Sequence, residues 1–139
     1  MRAQGFTDLE RWGITILRVV VGIVFVAHGG QKLFVWGFGN VAGFFGQVGI
    51  PAPMVAAVIV TLVEFLGGLA LLLGLFTRWA AIPLAVNMLG AILTVHWKGG
   101  FFLPDGFEFA LTLLAANVTL AFLGSGEASV DRLLEERKA

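Results

Sequence analysis

Arg18, His28 and Lys32 lie along one apolar stretch of the chain, Ile14–Leu33, and Glu64 lies inside another, Met54–Leu75. At helical spacing Arg18, Gly22, Phe25, His28, Gly29 and Lys32 share one face, because residues three and four apart stack on the same side. Ala57, Thr61, Glu64, Gly67, Gly68 and Leu71 share a face in the same way. Each face mixes small residues with ionisable ones, the pattern of helices packed closely inside a membrane. The two faces are therefore expected to meet. A carboxylate opposed to an imidazole and two cations can exchange protons with a bound headgroup and stabilise an anionic intermediate. Glu64 and His28 are the candidate catalytic groups of a proton- or quinone-handling site. Arg18 and Lys32 are its electrostatic partners. The same residues also suit a structural ion pair that fixes helix register, and spacing does not separate the two readings.

Other polar residues are weaker candidates. Asn87, Gly90, Ala91 and Thr94 share a face of the third stretch, with Pro83 one turn earlier, and Asn87 is expected to hydrogen-bond across helices. Glu108, Thr112, Ala115 and Thr119 share a face of the fourth, while Asn117 points the opposite way. Glu108 falls in a first turn, where the helix dipole favours a carboxylate. Asn87, His96 and Glu108 join Arg18 and Lys32 as candidate ligand-binding residues. Haem ligation by His28 and His96 is not expected, since His96 lies about 180° from Asn87 at 100° per residue. No ligand spacing suggests a metal, so none is expected.

The elements that must hold these residues follow from apolar length. A membrane-crossing helix needs roughly 20 mostly apolar residues. Four stretches approach that: 14–33, 54–75, 79–95 and 107–123. They leave little for a separate soluble domain, so a single domain over 1–139 is expected, with a short tail over 126–139. A cleaved leader fits the first stretch poorly, because Met1–Trp12 is polar with mixed charge and no small-residue cleavage pattern follows. Gly49-Ile50-Pro51-Ala52-Pro53 stops the preceding segment and launches the second helix. Phe76-Thr77-Arg78 makes a tight turn, so spans two and three should be antiparallel neighbours. Asn40–Val48 is read as a short helix lying in the outer interface, with a glycine-rich cap over the bundle end as the alternative. Ala128–Lys138 reads as a solvated helix with an Arg132/Glu136 pair. His28-Gly29-Gly30-Gln31-Lys32 and His96-Trp97-Lys98-Gly99-Gly100 echo one another, as do Glu64-Phe65 and Glu108-Phe109. The match is short and lies in biased composition, so chance accounts for it as well as a repeat does.

Composition agrees. Of the 139 residues 58 % are hydrophobic and 13 % charged, with no cysteine and zero net charge. That excludes an ordinary soluble domain and a disordered chain. It also excludes electrostatic capture of nucleic acid and any thiolate or iron–sulfur chemistry. Arg2, Arg11, Arg78, Arg132, Arg137 and Lys138 would fall on one side of the membrane and only Lys32 and Lys98 on the other. The positive-inside rule then puts both termini in the cytoplasm. The expected fold is all-α, a four-helix transmembrane bundle with a short interfacial helix in the first external loop.

The sequence resembles the DoxX family of small bacterial membrane proteins. The resemblance runs through Leu17-Arg18, His28-Gly29-Gly30-Gln31-Lys32-Leu33, Gly49-Ile50-Pro51-Ala52-Pro53, Glu64-Phe65-Leu66-Gly67-Gly68 and Leu73-Gly74-Leu75-Phe76-Thr77-Arg78-Trp79-Ala80-Ala81. It extends to Gly106 and Glu108, and covers about residues 12–131. It implies a four-helix bundle in the bacterial plasma membrane and a link to quinone-dependent redox metabolism. Arg18, His28, Lys32, Glu64 and Arg78 are the matched positions for a shared role. The implied function is an accessory subunit of a quinone-dependent oxidoreductase, with quinone as the cofactor. The implied partners are the lipid bilayer and other membrane or cytoplasmic redox subunits, and a homo-oligomer is compatible. A non-enzymatic scaffold for redox partners and a small-solute or proton carrier are the alternatives.

Overall fold

Thr7 and Glu10 decide where the first helix begins. The Thr7 hydroxyl accepts from the Glu10 N–H at 3.3 Å, and the Glu10 carboxylate accepts from the Thr7 N–H at 2.7 Å. This reciprocal cap satisfies two donors that a helix start leaves unpaired. In the computed structural model, which describes residues 5–139, α1 therefore runs Asp8–Gly30, six residues earlier than its apolar stretch. Arg2, one of the cations used to orient the chain, lies outside the described residues. Past Gly30 the chain widens into a π-helical segment, Gln31–Trp36, and then continues as α2, Gly37–Gln47.

Pro53 starts α3, Pro53–Leu73, where its missing N–H costs nothing. Gly74 ends it in the left-handed region at φ 65, with Gly74 N–H on the Leu71 carbonyl and Leu75 N–H on that of Ala70. That backward wrap satisfies the last carbonyls, and glycine adopts it without strain. After this short turn α4 runs Thr77–Ala91 and passes into a second π-helical segment, Ile92–His96. A loop leads to α5, Glu108–Leu123, and a glycine turn to α6, Val130–Glu136.

The faces predicted to meet do meet. α1 packs along α3, and Arg18, Gly22, Phe25 and Gly29 are buried against Thr61, Glu64, Gly68 and Leu71. The approach is backbone-close. A Cβ on Gly29 would sit 2.5 Å from the Phe65 nitrogen, and one on Gly68 2.6 Å from that of Val26. Only glycine allows such contact, and in a membrane it is packing of this kind that joins helices. α4 packs along α5, and Ala81, Leu84 and Met88, with Ile92 just after α4, share one core with Ala110, Leu113 and Leu120. α2 lays Val41, Ala42 and Phe45 on Ala57 of α3, which gives this segment both a helical and a packed character.

Asp8–Gln47, Pro53–Leu73 and Thr77–Gly99 are helical stretches long and apolar enough to cross a membrane. α5 has 16 residues and is shorter. Ile16, Val20, Ile59, Leu66, Val86, Leu93 and Phe122 are exposed, whereas Arg18, Thr61, Glu64, Thr77 and Asn117 are buried. In water that distribution would leave far too much apolar surface uncovered. It is the surface of a helical bundle solvated by lipid.

Candidate functional site

Glu64 sits midway along α3, on the face that α1 and α4 cover, and is 5 % exposed. Both its oxygens have partners. Oε2 pairs with the Lys32 ammonium at 2.6 Å, and Oε1 accepts from the Asn87 amide at 3.0 Å. A charge taken out of water needs both a counter-ion and hydrogen bonds to its remaining lone pairs, and this carboxylate has them. Three elements supply the cluster: the π-helical segment after α1, then α3, then α4.

The π turn matters to Lys32. Widening a helix by a residue re-aims the side chains that follow, and such bulges are frequent at functional sites. Lys32 is the second residue of that segment, and its side chain keeps 16 % exposure, whereas the Glu64 side chain keeps 6 %. The pair is therefore buried on the carboxylate side and open on the ammonium side. Phe34 and Phe65, the residues two after Lys32 and one after Glu64, meet edge to face with ring centres 5.6 Å apart. A buried acid, a partly exposed cation and an amide donor together can hydrogen-bond a polar group and pass a proton to it.

The other candidates lie elsewhere. Arg18 is 1 % exposed but does not reach Glu64. Its Nη1 donates to the Leu71 and Leu72 carbonyls at 2.5 and 3.0 Å, and its Nη2 to the Ala128 carbonyl at 2.5 Å. A guanidinium over the last turn of α3 faces the negative end of that helix, which accounts for its burial without a carboxylate. His28 is exposed and tilts toward Phe109 of α5, ring centres 6.2 Å apart. One extra step around α1 separates it from the buried stripe. His96 closes the second π-helical segment, its Nδ1 3.3 Å from the Asp105 carbonyl. Glu108 accepts from the Leu103 N–H at 2.9 Å and so braces the loop before α5. Of the candidates, Lys32, Glu64 and Asn87 converge; Arg18, His28, His96 and Glu108 do not.

Two features escaped the sequence reading. On α5 the buried stripe is Ala110, Leu113, Asn117 and Leu120, so Thr112 and Ala115 face outward and Asn117 faces in. Periodicity gave two polar faces on that helix and no means of choosing between them. The tail forms the expected solvated helix, α6, but the segment leading into it and its first turn are tied to the bundle. Thr15 accepts from the Glu127 N–H at 2.8 Å, and Asp131 accepts from the Phe76 and Thr77 N–H groups at 2.6 and 2.9 Å. The expected Arg132–Glu136 pair is present at 3.0 Å, with Glu127 as a second partner of Arg132. Among the described residues no group of three or more acidic or histidine side chains could hold a metal ion.

The chain is similar to several curated proteins along most of its length. The DoxX family model matches residues 13–97. "Putative oxidoreductase CatD" of Bacillus subtilis (strain 168) is 35 % identical over 119 residues, 86 % of this chain and 84 % of that protein. "Uncharacterized membrane protein Rv3486" of Mycobacterium tuberculosis (strain ATCC 25618 / H37Rv) is 36 % identical over 135 residues, 89 % of this chain and 82 % of the relative. "Inner membrane protein YphA" of Escherichia coli (strain K12) is 30 % identical over 125 residues, covering 86 % and 88 %. No solved structure matches the chain. The matched region takes in Arg18, the Lys32–Glu64 pair and Asn87, and on those grounds the chain belongs to the DoxX family of membrane proteins.

Proposed function

We propose that this protein is an accessory subunit of quinone-linked redox metabolism in a bacterial plasma membrane, and that the Lys32–Glu64–Asn87 cluster receives the quinone headgroup. One observation carries the reading: a nearly buried carboxylate pairs at 2.6 Å with a lysine that stays partly open, inside an apolar bundle. Ionisable groups at such depth are costly, and they mark ligand or proton paths more often than surface ones do. The name of the CatD relative, which mentions an oxidoreductase, points the same way. In this role the Lys32 ammonium would donate to a quinone carbonyl oxygen, with the Glu64 carboxylate and the Asn87 amide as its immediate neighbours. A bound quinone would supply the two-electron, two-proton chemistry, with electrons from a redox partner protein, and this chain's own part would be to hold the headgroup and pass protons. Lys32 would offset negative charge at the headgroup oxygen.

The test is a titration of purified protein in micelles with a short-chain quinone, read by tryptophan fluorescence and by extraction of co-purified quinone. The expected result is saturable quenching that Glu64→Gln and Lys32→Met both weaken. Wild-type protein with no extracted quinone and only linear quenching would overturn the reading.

A further inference from the structure

The end of the bundle where α1 starts and α6 lies holds a cavity of about 520 Å³. Arg11 of α1, Arg78 of α4 and Lys138 beyond α6 all border it. Among the described residues none of the three has a carboxylate within ion-pair distance. Their hydrogen bonds are long: Arg11 Nε reaches the Phe6 carbonyl at 3.4 Å, and Arg78 Nη2 that of Leu123 at 3.5 Å. Two acids share the wall. Asp131 already has both oxygens on the N–H groups of Phe76 and Thr77, which leaves Glu135 against three cations.

The cavity lies where α1 and α4 start and α5 ends, the level at which spans leave the hydrocarbon. Phe6 and Trp79 stand exposed at its rim, at 46 % and 75 %. Aromatic side chains at that depth sit among lipid headgroups. Cations converging from separate helices, next to a greasy rim, complement a group that is anionic at one end and apolar at the other. We propose that this cavity binds the phosphodiester headgroup of an anionic phospholipid, with Arg11 and Arg78 on the phosphate oxygens and Lys138 closing over it. The acyl chains then run down the outer faces of α1 and α4. This assignment is independent of the quinone reading, which concerns the other half of the bundle.

The experiment is native mass spectrometry of the full chain released from micelles holding equal phosphatidylglycerol and phosphatidylcholine of identical acyl chains. A matched set of samples carries inorganic phosphate in place of phosphatidylglycerol. The expected result is selective retention of phosphatidylglycerol, with binding weakened about fivefold for each arginine neutralised in Arg11→Gln and Arg78→Gln. Lys98→Gln removes a positive charge at the opposite end and should leave retention unchanged. If the glutamine variants do not fold, the wild-type preference still decides. Equal retention of the two lipids, or retention of phosphate as strong as that of phosphatidylglycerol, overturns the assignment.

Discussion

Lys32 and Glu64 show how much one pair of residues can decide in this chain. Truncating Lys32 to methionine leaves the Glu64 carboxylate buried beside only the Asn87 amide, and breaking a buried pair in this way costs about 3–5 kcal/mol. Lys32→Met combined with Glu64→Gln should recover much of that loss, because no lone charge remains. A double-mutant cycle on thermal unfolding in detergent checks it; additive losses would mean the two side chains do not interact. Arg18, more deeply buried than Lys32, makes a different prediction. Arg18→Met frees carbonyls of Leu71, Leu72 and Ala128, and hydrogen bonds to a charged donor contribute about 1.5–3 kcal/mol each. The tail should then exchange its amide hydrogens faster around 127–131 while quinone quenching survives. Separate effects of this kind would show that the two cations on one face of the first span do different things.

At the scale of elements, two joints hold the bundle together. The α1–α3 seam depends on Gly22, Gly29 and Gly68, where an added methyl collides with backbone rather than with a side chain that can swing away. Gly68→Val should therefore separate the helices and abolish the folded state in micelles. Gly43→Ala, on the exposed side of α2 with nothing within 4 Å of the new methyl, should be silent or stabilise by about 0.5–1 kcal/mol. Size-exclusion profiles and melting temperatures distinguish these outcomes. The second joint is Asp131. Both of its oxygens accept backbone N–H groups at the start of α4, where Phe76 holds a left-handed φ of 48. Asp131→Asn gives up the negative charge that favours a helix start and should cost about 1 kcal/mol.

For the molecule as a whole, α1, α3, α4 and α5 alternate in direction, and the tail returns to α1 through Thr15 and Arg18. The first described residues and the C-terminal tail therefore share one side of the bundle. Arg11, Arg78, Arg132, Arg137 and Lys138 gather at that end, and the positive-inside rule predicts that it faces the cytoplasm. Alkaline phosphatase fused after residue 139 should be inactive, and the enzyme fused into the loop at Gly100 active. The reverse pattern would invert the protein, and would move the proposed lipid site to the other leaflet.

Apolar length and helical spacing were enough to determine the all-helical bundle and the seam between α1 and α3. Each is a one-dimensional pattern repeated over many residues, so an error at one position does not change it. Helix starts were less legible: a polar capping box extended α1 back to Asp8, because hydrogen bonds and not hydrophobicity end a helix. Which cation answers Glu64 was beyond the sequence altogether. Arg18 and Lys32 lie on the same face of the first span, and both are long enough to reach a carboxylate. Only the antiparallel register of α1 on α3, set by glycine contacts, puts Lys32 level with Glu64 and Arg18 level with the end of α3. The π turn after Gly30 completes the choice by re-aiming Lys32. Asn87 and Asn117 divide in the same manner, one joining the cluster and the other turned into the core, because the helix that each must face is a tertiary fact.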